Sequence, residues 1–261
     1  MSINQLADNT RRTYWITGAS SGIGLELAEQ LAREGNYVVA SGRNMAALAD
    51  LQTRYPKFVE PLAFDLTDEH DWPDLPERLN EVLDEIDTLI MAAGVCEYVD
   101  NPQCDDDLYR RVFETNFFAA VRTVRVALPF LKRSSQKARI VGVGSLSAQA
   151  AFTRAQAYGA SKAAFEYWLE CQRIDLKPLG IDVTVVSPGF VDTPLTRKND
   201  FAMPGLMTVE KAAHRIISGL EAGKMYVRFP RRLFWPLRMA RWLPKFWFGW
   251  VAEKMQRSQT L

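Results

Sequence analysis

The chain has 261 residues, 48% of them hydrophobic, which is enough to bury a core as one α/β domain. Its formal charge of +1 lacks the basic excess of a dedicated nucleic-acid binder, so nucleic acid is not expected as a partner. Cys96, Cys104 and Cys171 have neither redox nor metal spacing and His70 and His214 lie far apart, so no metal site is expected and reduced thiols fit a cytoplasmic protein.

In chain order, Tyr14–Thr17 reads as a strand and is followed by a helix through Leu25, Leu27, Ala28 and Leu31. Tyr37–Ala40 is a second strand, with a helix near 45–54. Phe58–Phe64 is a third, with a helix after Asp68, and Asp87–Met91 is a fourth. One long helix is predicted over 105–132, then a fifth strand at Arg139–Val143 and a helix over 156–177. Asp182–Val186, a helix over 208–221 and Met225–Arg228 complete the series. Continuous β-branched strands alternating with helices predict a doubly wound α/β domain over residues 1–230, one parallel sheet of about seven strands with helices on both faces. Residues 1–8 lack the charged start and apolar run of an export signal, and no run of about 18 uncharged apolar residues is present to span a bilayer.

Directly after the first strand stands Thr17-Gly18-Ala19-Ser20-Ser21-Gly22-Ile23-Gly24, leading into a helix. Glycines between strand and helix permit a tight turn, close approach of backbone to a pyrophosphate and close packing of helix on strand, and the helix N-terminus offers unpaired N–H groups to the phosphate. The second strand ends in Ser41-Gly42-Arg43-Asn44, without the carboxylate that would hold the ribose of NAD and repel a 2′-phosphate. Arg43 can pair with that phosphate, so NADP(H) is preferred and NAD(H) stays open, since Arg43 can equally lie on a solvated helix start. Asp65, with Leu66 beside it, is placed to meet the adenine ring or to cap its turn.

Tyr158 and Lys162 lie one helical turn apart on the same face. A free phenol titrates near pH 10, about three units above neutrality, and a neighbouring ammonium is expected to lower that value and make Tyr158 a usable acid or base. Such a pair alone is commonly structural. Together with the glycine turn and with Gly144-Ser145-Leu146-Ser147 ending the fifth strand, it stands in the order and spacing of the short-chain dehydrogenase/reductase family. The chain resembles an NADP-preferring member of that Rossmann-type family over residues 12–228.

The resemblance implies hydride transfer between nicotinamide and a carbonyl or secondary alcohol of a small molecule. It implies Tyr158 as acid/base, Lys162 also on the nicotinamide ribose, Ser145 orienting the substrate oxygen, and Asn116 positioning water in a relay to the lysine. Ser147 is an alternative hydroxyl, since on an extended strand end it would point the same way as Ser145. Gly18, Ser20, Ser21, Gly22, Ile23 and Gly24 match the pyrophosphate turn. Pro188, Gly189, Val191 and Thr193 match the loop after the sixth strand, where Thr193 and the Val191 backbone would hold the carboxamide. Where the family has Asn-Asn-Ala-Gly, this chain has Met91-Ala92-Ala93-Gly94, which keeps a small surface for adenosine but loses both asparagines. Val95, Cys96, Glu97, residues 148–154 and residues 190–207 are the expected substrate walls, and homodimers or homotetramers are implied. The alternatives are a nucleotide-binding sensor on the same fold, which would be expected to lose Tyr or Lys of the pair, and a membrane-surface interaction protein in which the C-terminal segment is the functional part.

Residues 231–261 form a basic, aromatic extension. From Ala222 to Ala252 there is no acidic residue, while Lys224, Arg228, Arg231, Arg232, Arg238, Arg241 and Lys245 are basic and four of the seven tryptophans lie there. Pro236 and Pro244 are expected to break it into short pieces. Three readings stay open: peripheral contact with a membrane, packing over the substrate pocket or packing in a subunit interface.

Overall fold

The computed structural model describes residues 11–100, 105–240 and 242–251, so residues 1–8, Cys104, Arg241, the side chain of Trp250 and the tail beyond Val251 lie outside the described residues. Seven strands, β1 (Thr13–Thr17), β2 (Tyr37–Ser41), β3 (Val59–Pro61), β4 (Thr88–Met91), β5 (Arg139–Val143), β6 (Asp182–Pro188) and β7 (Tyr226–Phe229), pair in one parallel sheet in the order β3-β2-β1-β4-β5-β6-β7. Successive strand side chains point to opposite faces, and both faces of the sheet are mainly apolar. Trp15, Leu89, Ile140 and Val185 enter a core with α3 (Leu75–Val82), α5 (Ala119–Leu131) and α6 (Gln156–Leu176). Ile16, Ile90, Val141 and Val186 enter a second core with α1 (Gly22–Arg33), α2 (Met45–Arg54) and α7 (Val209–Glu221). The result is one doubly wound domain. The chain runs outward from β1 to β3, then returns to lay β4 on the other side of β1, and at that reversal the following loops diverge into a crevice.

Three boundaries differ from those expected. The third strand is only Val59–Pro61, because it is the sheet edge and Pro61 offers no N–H; Leu62 still donates to Ala40, but Asp65 lies beyond the strand rather than ending it. The long helix is not uniform: α4 (Asp106–Phe113) passes into α5 through a π turn at Glu114–Phe118, centred on Asn116. One extra residue per turn has no hydrophobic-period signature, and such turns recur at functional sites. Pro236 does not break the tail, since α8 (Arg231–Ala240) runs through it. Its fixed φ is already helical, and both Pro236 and Arg232, whose carbonyl loses its helical partner, lie on the exposed side where water satisfies the oxygen. Pro244 stands at the first position of a short turn, α9 (Pro244–Phe246), where a missing N–H costs nothing.

Gly142 sets how closely α6 approaches the sheet. A Cβ there would lie 2.2 Å from Leu169 Cδ1 and 2.8 Å from Phe165 Cζ, and α6 carries both Tyr158 and Lys162. Gly142→Val should therefore destabilise the fold by about 1–3 kcal/mol through overpacking. A lowered midpoint in urea unfolding would show it, and an unchanged midpoint would mean that α6 is not held down at this position.

Candidate active site

The crevice beyond the carboxyl ends of the strands is a cleft of about 1180 Å³ measured out to its open mouth. Around it stand the turn after β1 (Gly18, Ser20, Ser21, Gly22, Ile23), Gly42 and Arg43 after β2, Asp65 and Leu66, Ala92 to Val95 after β4, Ser145, Tyr158, Lys162, and Pro188, Gly189, Val191 and Thr193 after β6. Of the residues given a catalytic or cofactor-binding role from sequence, Gly24 and Asn116 do not line it. Gly24 lies behind the turn, where a Cβ would come 2.3 Å from the Gly18 carbonyl oxygen, so it fixes the helix against the turn.

The turn fits a phosphate. Gly18 has φ +75°, and a Cβ on it would lie 2.5 Å from the Ala93 backbone nitrogen. The two walls of the cleft thus touch backbone to backbone, which no other residue permits. α1 begins at Gly22, and Ser21 makes no side-chain cap, so the first amides of the helix are left for an anion. Gly42, which the sequence reading missed, leaves room for Ser20, whose Oγ would be 2.8 Å from an added Cβ. At the far rim, Arg43 and Asp65 form an exposed pair at 3.7 Å. Asp65 Oδ1 accepts from the Thr67 N–H at 2.9 Å and from the Thr67 hydroxyl at 2.8 Å, so this carboxylate caps its turn. Loss of the two asparagines after β4 leaves the sheet paired, with Ala92 N–H donating to the Thr17 carbonyl at 3.0 Å and the β1–β4 register intact to Met91.

At the other end of the cleft, Ser145, Tyr158 and Lys162 come together. Ser145 caps the short 3-10 turn Leu146–Ala148, its Oγ accepting the Ser147 N–H at 3.1 Å. Because the chain turns here instead of staying extended, Ser147 does not point the same way; it is absent from the cleft lining and its Oγ is buried without a partner. Lys162 is 4% exposed, and its Nζ donates to the Val143 carbonyl at 3.1 Å. Burial pushes the lysine down to about 8. Burial also pushes the Tyr158 phenol up to about 12, against the lowering effect of the Ser145 hydroxyl, and the nearby Cys96 thiol adds to the rise. The expectation that the ammonium lowers the phenol is thus corrected for the free protein: desolvation dominates both groups, and at neutral pH the pair is a neutral phenol beside a cation easily discharged.

Asn116, in the π turn, clamps the Val95 backbone from both sides. Its Oδ1 accepts the Val95 N–H at 2.8 Å, and its Nδ2 donates to the Val95 carbonyl at 2.9 Å and to Ser161 Oγ at 3.0 Å. This ties the loop after β4 to α6. A Cβ on Gly94 would lie 3.1 Å from Lys162 Nζ and 3.3 Å from Asn116 Oδ1, so both groups face the bare glycine. Thr115, also delivered to the cleft by the π turn, carries no signal in the sequence.

Of the expected substrate walls, Val95, Val191 and Thr193 to Thr196 line the cleft, while Cys96, Glu97 and residues 148–154 do not. Residues 95–100 and 190–207 are instead fastened to each other. Tyr98 donates to Asn199 Oδ1 at 2.6 Å and meets Phe201 edge to face, and Arg154 pairs with both Asp100 and Asp200. Residues 150–152 lie under the tail, where Phe152 meets Trp247.

With this geometry in view, the chain matches the short chain dehydrogenase family over residues 12–203. It is similar to an uncharacterized oxidoreductase of Myxococcus xanthus, with 34% identity over 254 residues covering 96% of this chain and 100% of the relative. A short-chain dehydrogenase from Streptomyces avermitilis has the same fold, with a TM-score of 0.81 at 23% identity over 95% of this chain and 100% of that one. A short-chain dehydrogenase from Sphingobium yanoikuyae, solved in complex with NADPH, has a TM-score of 0.76 at 27% identity and covers 96% of this chain and 98% of its own. The chain belongs to the short-chain dehydrogenase/reductase family and is an oxidoreductase of the kind that interconverts CH–OH and C=O groups.

Proposed function

We propose that the protein transfers hydride between NADP(H) and a carbonyl or secondary alcohol of a predominantly apolar small molecule, with Tyr158 as the proton donor and acceptor. The observation that carries this reading is that Ser145, Tyr158 and Lys162 share one cleft with the uncapped start of α1 and the Gly18–Gly22 turn. Bound nicotinamide supplies or accepts the hydride. The turn and the α1 amides would hold its pyrophosphate, Ala92, Ala93 and Gly94 would meet the adenosine, and Val191 and Thr193 would hold the carboxamide. Arg43 favours NADP(H), because its guanidinium can leave Asp65 for the charge of a 2′-phosphate, whereas a bare ribose offers it only neutral hydroxyls; the NADPH complex of the Sphingobium yanoikuyae relative agrees with this.

In reduction, the Ser145 hydroxyl would orient the substrate oxygen while Tyr158, neutral at physiological pH, gives that oxygen its proton. Oxidation reverses the proton movement. Lys162 would stabilise the resulting phenolate, and Asn116 would place a water between bulk solvent and the lysine, as the facing of both groups onto Gly94 allows. A homodimer or homotetramer accords with the family.

Tyr158→Phe should abolish turnover while leaving NADPH affinity, read by fluorescence titration, close to the parent; turnover near the parent value would refute the role. For Arg43→Ala, NADPH affinity should fall about tenfold with NADH affinity unchanged, as expected for one partly exposed charge-assisted contact. Equal losses for both cofactors would remove the NADP preference. Stability carries a third signature. The folded lysine is discharged above about 8 while the unfolded one keeps its proton to about 10.5. The unfolded state therefore binds more protons in that window, and wild-type stability relative to Lys162→Met should rise from pH 7 to pH 10, by at most about 3 kcal/mol. Urea unfolding at several pH values reads this difference, and a flat or falling difference would contradict burial of the charge.

A further inference from the structure

Both faces of α8 carry large apolar side chains. On one, Phe234, Leu237 and Ala240 are buried together with Leu146 and against Ala150 and Phe152, and Trp247 joins them by donating its indole N–H to the Ala151 carbonyl at 3.0 Å. On the other, Trp235 and Met239 stand one turn apart, and the chain continues into Trp242, Leu243, Phe246 and Phe248. All six are more than half exposed, Trp242 by 78%. Scattered apolar side chains are ordinary on a protein surface, but six large ones within fourteen positions mark a surface that something covers.

The charges beside them narrow what that is. Arg231, Arg232, Arg238 and Lys245 are exposed on the same segment, and none has an ion-pair partner among the described residues. The sequence from Ala222 to Ala252 holds seven basic residues and no acidic one in a chain of net charge +1, so the rest of the protein is net acidic. A second copy of the chain docking through this face would meet the same patch under two-fold symmetry, bringing unpaired cations together. No described helix is long and apolar enough to cross a membrane. Exposed indole and phenyl rings flanked by guanidinium and ammonium groups match the headgroup level of an anionic bilayer, where rings enter the interface and cations meet lipid phosphates.

We propose that the exposed face of α8 and the following turn dock the protein on the surface of an anionic lipid bilayer. The buried face of the same helix covers the segment that follows Ser145, so docking sets that side of the cleft near the lipid. On the enzymatic reading above, this favours a substrate that partitions into membranes. Docking itself does not depend on that reading.

The full-length protein is sedimented with vesicles of phosphatidylglycerol and phosphatidylcholine, and with vesicles of phosphatidylcholine alone. Binding to the anionic vesicles should be at least about tenfold stronger and should weaken on raising the salt to about 0.5 M. It should be lost in Trp235→Ser/Trp242→Ser and in Arg232→Glu/Arg238→Glu, with melting temperature and NADPH affinity unchanged. Absence of binding to anionic vesicles, or binding indifferent to both double variants, would overturn the proposal. So would sedimentation velocity showing that the tryptophan variant dissociates an oligomer, which would assign the face to a second copy of the chain.

Discussion

A lysine held inside the protein is the constraint around which the cleft is organised. Lys162 is almost fully enclosed, with the Val143 carbonyl as the acceptor that fixes its Nζ, and burial works against its charge. Such a group destabilises the fold that contains it and persists only where the surroundings over-determine it. Here they do so through backbone. Gly142 lets α6 lie close on β5, which brings the lysine within reach of the next carbonyl in that strand, and bare Gly94 gives the ammonium its space from the opposite wall.

The same burial gives the neighbouring phenol its properties. Tyr158 is held neutral, and Lys162 is held close to losing its proton, so two groups that ordinarily titrate about half a unit apart are driven apart, the phenol up to about 12 and the lysine down to about 8, because burial disfavours both charged forms. A pair that resists charge in the free protein is sensitive to any charge that enters beside it. An anion near Lys162 would favour the ammonium, and an ammonium next to a phenol favours the phenolate. The electrostatic argument made from spacing alone omits desolvation, which raises the phenol and which the one-turn separation of two residues cannot convey.

The cofactor end of the cleft was legible in the sequence because backbone builds it. Gly18 and Gly22 are written as glycines for reasons of φ and of contact, and the strand–turn–helix pattern around them identifies the turn. Where the reading fell short, side chains or local irregularities decide. The π turn shifts Thr115 and Asn116 by a fraction of a turn that periodicity does not record. The 3-10 turn after Ser145 separates two serines that an extended chain would have aligned. The third strand stops early because of a proline at an edge, and α8 continues through a proline because the lost bond faces water.

The substrate end was less legible for a related reason. It is closed by contacts between segments distant in sequence, such as Tyr98 with Asn199 and Arg154 with both Asp100 and Asp200. Arg154 makes these contacts from a left-handed backbone, φ 62°, which is uncommon for a residue other than glycine. Its guanidinium also lies 4.7 Å from the Tyr98 ring centroid, so one side chain joins the loop after β4 to the loop after β6. Fastened this way, the two loops are tied to each other by side chains rather than by the sheet. On the proposed reading, the glycine turn would hold the nucleotide through backbone shape, and discrimination among substrates would fall to the fastened loops.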